Sequence, residues 1–296
     1  MELMTKIDIP KSEWQITPDS KLVLFGSCFA DEVGQRMKRG GFDVLVNPFG
    51  TLYNPASIAA LIGKSLSGRE YDGLSSEIFH DEKMGVWHSW MHHSSFSSSS
   101  REELIGEMNA AMHKTAERVR EADVMIVTLG TSIVYRLKAD DMLVANCHKQ
   151  LDSLFVRHRL SPSDIVCQWT ALLQQMRSMN PKLKVIFTVS PIRHKRDGMH
   201  VNQISKGILL QAVDDIVSAD EFKDFCCYFP SYEIMMDELR DYRFYADDMV
   251  HPSDKAVAYI WERFQYTYLN NKTMDFVAKS TKEWARSLHR DIVRKV

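Results

Sequence analysis

The chain has 296 residues, 45% hydrophobic and 26% charged, with a formal net charge of −2. That is enough material for a sizeable core, and no basic excess marks a dedicated nucleic-acid binder. No apolar stretch approaches the length that crosses a bilayer. Residues 1–20 mix charges and lack the apolar core of a signal peptide. The five cysteines, Cys28, Cys147, Cys167, Cys226 and Cys227, are odd in number and irregularly spaced. They read as reduced thiols of a cytoplasmic protein.

In chain order, short apolar or β-branched runs predict strands at Leu22–Phe25, Asp43–Val46, Val124–Leu129, Lys184–Val189 and Phe225–Phe229. Between and after them, helical patterns run over Phe29–Arg39, Pro55–Leu66, Arg101–Glu121, Pro162–Met179, Met199–Val217 and Ser253–Leu269. Strands alternating with helices predict βαβ units: an α/β protein whose central parallel sheet carries helices on both faces. Two segments interrupt the alternation. Glu77 to Phe96 reads as an aromatic, histidine-rich hairpin, and Ser132 to Leu160 holds short strand-like pieces around Asn146-Cys147-His148-Lys149. Either is expected to fold over the sheet edge as a lid. The organisation expected is an extension over 1–20, a domain over 21–270 with an insertion at about 74–100, and a charged helical tail over 271–296 with Trp284 and Leu288 available for docking.

Chemistry concentrates at Phe25-Gly26-Ser27-Cys28-Phe29-Ala30-Asp31. A buried strand ends at a glycine, two small nucleophilic residues follow, and a helix starts at once. A side-chain oxygen or sulfur is thereby held at a helix N-terminus, where free N–H groups and the dipole favour negative charge. Cys28 is the first candidate nucleophile and Ser27 the second. Packing as a small hydrophobe is the bland alternative for Cys28. Near the C-terminus, Asp248-Met249-Val250-His251 supplies a base and a carboxylate that can fix its tautomer. The alternative there is a helix start capped by Ser253. Arg193-His194-Lys195-Arg196 follows the fourth strand at the same edge. Arg193 or His194 is the expected docking point for an anionic group such as a carboxylate or the phosphates of coenzyme A. His80, His88, His92 and His93 lie near Trp87 and Trp90 without a Cys-x-x-Cys or His-Glu-x-x-His spacing, so an exposed lid with aromatic anchors is expected and no metal site. Cys147-His148 would point to opposite sides of a strand, which argues against a second nucleophile–base pair.

Gly26-Ser27-Cys28-Phe29-Ala30 spells the signature of the GSCFA family, which the chain resembles from Phe25 to about Phe264. Further segments of that resemblance are Asn47-Pro48-Phe49-Gly50-Thr51-Leu52-Tyr53-Asn54-Pro55, Leu129-Gly130-Thr131-Ser132, Asn146-Cys147-His148-Lys149, Ser190-Pro191-Ile192-Arg193-His194 and the Asp248–His251 pair. The family looks like a branch of the SGNH, or GDSL-like, hydrolases, which implies a three-layer flavodoxin-like fold. Alignment with the superfamily's blocks implies Cys28 in the nucleophile place, with Ser27 where an aspartate is usual. It further implies Gly50, Ser132 and the Cys28 N–H as oxyanion donors, Ser132 replacing the usual asparagine. Asp248 and His251 fall on the fourth block unaltered, and Asn47, Asn146 and His148 become substrate contacts.

Together these readings predict an acyl-transfer enzyme acting on an ester or thioester carbonyl. It would be an O-acyl esterase or an O-acyltransferase on carbohydrate-linked or other small-molecule acyl groups. No resident cofactor is expected, although the acyl donor can be linked to coenzyme A, and no nucleic-acid or membrane partner is expected. A catalytically inactive binding module on a degenerate hydrolase fold is the alternative. The oligomeric state is not legible.

Overall fold

In the computed structural model, which describes residues 4–293, five parallel strands form the central sheet. They span Lys21–Gly26, Asp43–Val46, Val124–Leu129, Lys184–Val189 and Cys226–Tyr228. Their spatial order is second, first, third, fourth, fifth. That order is the flavodoxin-like, doubly wound arrangement, and its switch point lies between the first and third strands.

The first strand shows how the sequence builds the layers. Val23 and Phe25 pack into one core, and Leu22 and Leu24 into the other. Successive side chains of a strand face opposite sides, so a strand sandwiched between helix layers must be apolar at every position. Each such fully buried side chain contributes about 1.5–3 kcal/mol. The helices Pro55–Ser67, Arg101–Glu121, Pro162–Met179 and Met199–Val217 cover the first face. Cys28–Arg39, Asp254–Tyr268 and the tail helix Asn271–Val293 cover the second. The tail helix runs alongside Gly40 and Gly41 through Val277 and Phe276, and Arg39 sits over the Trp284 ring.

The two irregular segments form small antiparallel sheets. One comprises Ile78–Asp81, Val86–Ser89 and Ser97–Ser98; the other comprises Ile133–Leu137, Leu143–Val144 and Phe155–Arg159. They join where the N–H groups of Ala145 and Asn146 both donate to the Trp90 carbonyl, at 2.8 and 3.1 Å. The expectation of an exposed histidine-rich lid is corrected here. His88, His92 and Trp90 are buried, and Phe79 stacks on Trp90 at 3.6 Å. Burial drives His92 down to about 3, with Lys64 and His148 adding repulsion, so these rings are neutral packing elements. Among the described residues no group of three or more potential ligands is placed to hold a metal ion. Cys147-His148 is likewise not on a strand. It lies in a turn where His148 and Lys149 adopt φ of +47° and +57°. No helix among the described residues is long and apolar enough to cross a membrane.

Candidate active site

The first strand ends at Gly26, where a side chain is impossible: φ is +142°, and a Cβ would lie 2.2 Å from the Thr128 carbonyl oxygen. The chain can therefore turn tightly against the third strand and enter the helix at Cys28. Ser27 is the N-cap, its Oγ accepting from Phe29 N–H at 3.3 Å and donating to Ser190 Oγ at 3.0 Å. It is 1% exposed. Cys28, the first helical residue, is half-buried, and its Sγ lies 3.5 Å from the Tyr53 hydroxyl. Burial first, then the hydrogen bond and charge of Cys28, push the Tyr53 phenol up, so it stays protonated, and either group can donate in the contact. Among the described residues the Cys28 N–H has no backbone or side-chain acceptor, as expected for the first turn of a helix.

Cys28 opens onto a cleft of about 1050 Å³ of empty space at the carboxyl edge of the sheet. The cleft brings together Ser27, Cys28, Arg193, His194 and His251. His251 is oriented from behind: its Nδ1 meets Asp248 Oδ2 at 2.5 Å, while Asp248 Oδ1 accepts from the N–H groups of Val250 and His251 at 3.0 and 2.9 Å. The two backbone bonds first, then the imidazole, hold the Asp248 carboxyl down at about 2. An ionised Asp248 accepts a hydrogen bond from Nδ1–H, the tautomer that leaves the Nε2 lone pair free. Met249, at φ +60°, makes the tight turn that folds the i and i+3 side chains together. Ser253 caps the following helix as well. The capping and pairing readings of this segment coexist.

The remaining expected residues divide. Asn47 lies beneath the cleft rather than in it: its Oδ1 accepts from Gly26 N–H at 2.8 Å and its Nδ2 donates to Asp31 at 2.8 Å, with Thr51 on the other Asp31 oxygen at 2.9 Å. The structure does not bring Gly50 or Ser132 to the cleft. The Gly50 N–H donates to the Asn47 carbonyl at 2.8 Å, and its Cα is pressed against the His93 side chain. Ser132 is fully buried, with its N–H and its hydroxyl both on Ser205 Oγ at 2.7 and 3.1 Å. Asn146 and His148 line an adjoining hollow that shares Tyr53, Tyr135, Ala145 and Arg196 with the cleft. His148 Nε2 donates to the Ser89 carbonyl at 2.7 Å, and burial keeps the ring neutral down to about 4. His194 is neutral on the same ground, pushed to about 4 by burial and then by Lys206 and His251, with Nε2 unpartnered. The Arg193 Nε is also buried and unpartnered.

Three supporting groups had no assigned role in the sequence. Asn202, Ser205 and Lys206 sit on the buried face of the Met199–Val217 helix. Asn202 accepts from His194 N–H at 2.9 Å, and Ser205 holds the 131–132 turn. Lys206 donates to the carbonyls of Gly130 and Ser190, both at 2.7 Å, tying the ends of the third and fourth strands. Full burial, then Arg193, pushes its ammonium down to about 7. The signal was present: 202, 205, 206 and 209 share one helical face. Tyr53 and Asn54 also line the cleft.

Among solved structures the chain is similar to a protein provisionally assigned as a platelet activating factor from Streptococcus pneumonia, with 10% identity, TM-score 0.41, and 83% of this chain and 84% of that one covered. It is similar also to an acetyl xylan esterase, Est2A, from the rumen bacterium Butyrivibrio proteoclasticus, with 12% identity, TM-score 0.42, and coverage of 91% and 67%. Among curated proteins none matches. The match that identifies the chain covers residues 21–264, from the first central strand into the helix after His251, and by it the chain belongs to the GSCFA family.

Proposed function

We propose that the protein is an acyl-transfer enzyme in which Cys28 carries the acyl group. The observation that supports this most is the shared cleft: a half-buried sulfur at a helix N-terminus, and an imidazole oriented by a carboxylate, at the switch point of the sheet. His251 Nε2 takes the thiol proton as Sγ attacks the carbonyl carbon. The S–C bond forms, the bond from that carbon to the leaving oxygen or sulfur breaks, and the proton passes to the leaving group. A water or alcohol then attacks the thioester and gives its proton to His251. The Cys28 S–C bond breaks, and the proton returns to sulfur. Water as acceptor gives an esterase; a sugar hydroxyl gives an O-acyltransferase.

Ser27 is the weaker nucleophile on this reading, because its hydroxyl proton is directed at Ser190 in a buried contact. Arg193 and its neighbours Lys195 and Arg196 line the cleft and favour an acyl donor with an anionic handle, such as a coenzyme A thioester. A thioester donor is close in energy to the acyl-cysteine it forms, so loading would be nearly reversible and would keep the acyl group activated for an alcohol.

The test is hydrolysis or transfer from a neutral activated acetyl ester and from acetyl-coenzyme A, before and after alkylation with iodoacetamide. Loss of turnover in step with modification of Cys28 is expected. Turnover of neither donor, with Cys28 unreactive while exposed Cys167 is labelled, would leave the binding-module alternative standing.

A further inference from the structure

An acyl-transfer site needs donors for the negative charge that forms on the carbonyl oxygen, and here the expected ones are engaged elsewhere. The Gly50 N–H closes its own turn, and both Ser132 donors belong to Ser205. The N–H groups of Gly130 and Thr131 donate to the Tyr53 carbonyl at 2.7 and 3.0 Å. The Cys28 N–H remains, and one donor is a poor oxyanion site.

We propose that the side-chain amide of Asn54 is the second donor, its Nδ2 holding the oxyanion formed as Cys28 attacks; this rests on the acyl-transfer reading above. Asn54 is 5% exposed, yet it lines the same cleft as Cys28. It is also the N-cap of the helix Pro55–Ser67, with Oδ1 accepting from Ser57 N–H at 2.7 Å. That bond fixes the amide's orientation, since exchanging oxygen and nitrogen would set an NH₂ against an N–H. Nδ2 must then project the other way, and among the described residues it has no acceptor.

The residue is rigid on both sides. Pro55 follows with its restricted φ, and the preceding Tyr53 carbonyl is clamped by two N–H groups from the end of the third strand. A neutral amide held in a largely buried wall can meet developing charge without reorganising, which is what makes such donors effective. No proton is transferred: the amide donates a hydrogen bond to the new O⁻ and weakens its hold as the carbonyl re-forms. The unusual third block then has an explanation. The amide supplied by the superfamily's third block is replaced by one from the segment that follows Gly50.

The experiment is Asn54→Ser on the full chain, with Asn54→Asp beside it. Serine and aspartate both serve as N-caps, so thermal midpoints are expected within about 2 °C of wild type. Acetyl transfer from the neutral activated ester is expected to fall about 10²–10³-fold in kcat for Asn54→Ser with KM little changed, and further for Asn54→Asp, whose charge repels the oxyanion. Alkylation of Cys28 by iodoacetamide displaces iodide at a saturated carbon and forms no oxyanion there, so its rate is expected at the wild-type value. Wild-type turnover in Asn54→Ser overturns the proposal. So does a joint fall in turnover, alkylation and melting temperature, which would make Asn54 a cap alone. Absence of turnover in the wild type, with Cys28 still alkylated, instead brings down the acyl-transfer reading on which the proposal stands.

Discussion

The two walls of the cleft are built differently. On the nucleophile side, Gly26–Cys28 and Asn47–Asn54 are bound by buried, long-range hydrogen bonds: Asn47 to Gly26, Leu52 N–H to the Gly26 carbonyl, Tyr53 to Gly130 and Thr131, and Ser27 to Ser190. On the opposite side, Asp248 and His251 are each about half-exposed, and their mutual bonds span three residues. One backbone bond, Arg193 N–H to the Val250 carbonyl at 3.1 Å, ties that turn to the fourth-strand loop. The comparison teaches where precision is supplied. The sulfur and the proposed oxyanion donor are held by buried bonds to distant strands, while the proposed base is held by its own turn and by backbone bonds at the surface to residues 193 and 244–246. Changes to the side chains that bind the first wall together, such as Asn47, should cost stability as well as activity, and changes on the second should cost activity alone.

The largest effect is expected on the exposed wall. His251→Ala should lower acyl transfer by about 10⁵–10⁶-fold, and Asp248→Asn by about 10⁴-fold through loss of orientation. Urea midpoints at pH 7 should stay close to wild type for His251→Ala. Near-normal rates in either folded variant would separate this pair from the chemistry. Asp248 also carries a small acid signature. Its folded pKa lies below its unfolded one, so its stabilising contribution is complete above about 4 and is lost as pH falls towards 2.

Next comes the buried wall. Asn47→Ala orphans the buried Gly26 N–H and leaves alanine at φ +42°, for a loss of about 2–4 kcal/mol in chemical denaturation. A variant as stable as wild type would show that this wall is not held by Asn47. A third, smaller effect concerns Lys206. Its folded pKa, near 7, lies below the ordinary 10.5, so between those values the unfolded chain binds the extra proton and stability rises with pH. Urea midpoints of the wild type should climb from pH 7 to 10 relative to Lys206→Met. Parallel curves for the two proteins would mean that Lys206 does not titrate there.

The same contrast explains what the sequence disclosed. The central sheet was legible because strands covered on both faces must be apolar throughout, as in Leu22–Phe25 and Val124–Leu129. Helix boundaries followed from local chemistry, such as the Ser161–Asp164 capping box. The Asp248–His251 pair was legible because its partners are three residues apart. Less visible was whatever depends on distant chain segments. Ser132 matches its motif position, but its donors are taken by Ser205, 73 residues away, bonds that no local pattern reveals. His88 and His92 looked like surface residues because histidine is polar, yet Phe79 and His148 pack on the first and Phe49, Tyr71 and Phe96 on the second. His148 adopts positive φ without a glycine to announce it.

The central claim is that Cys28 carries the acyl group, and the most direct test is to trap that intermediate. The protein is mixed with an activated acetyl ester, quenched in acid during the first turnover, and mapped by peptide mass spectrometry. One acetyl group per chain is predicted on the Cys28 peptide, released by neutral hydroxylamine as a thioester should be. An acetyl group on Ser27, or turnover with Cys28 unmodified at every quench time, would contradict the account.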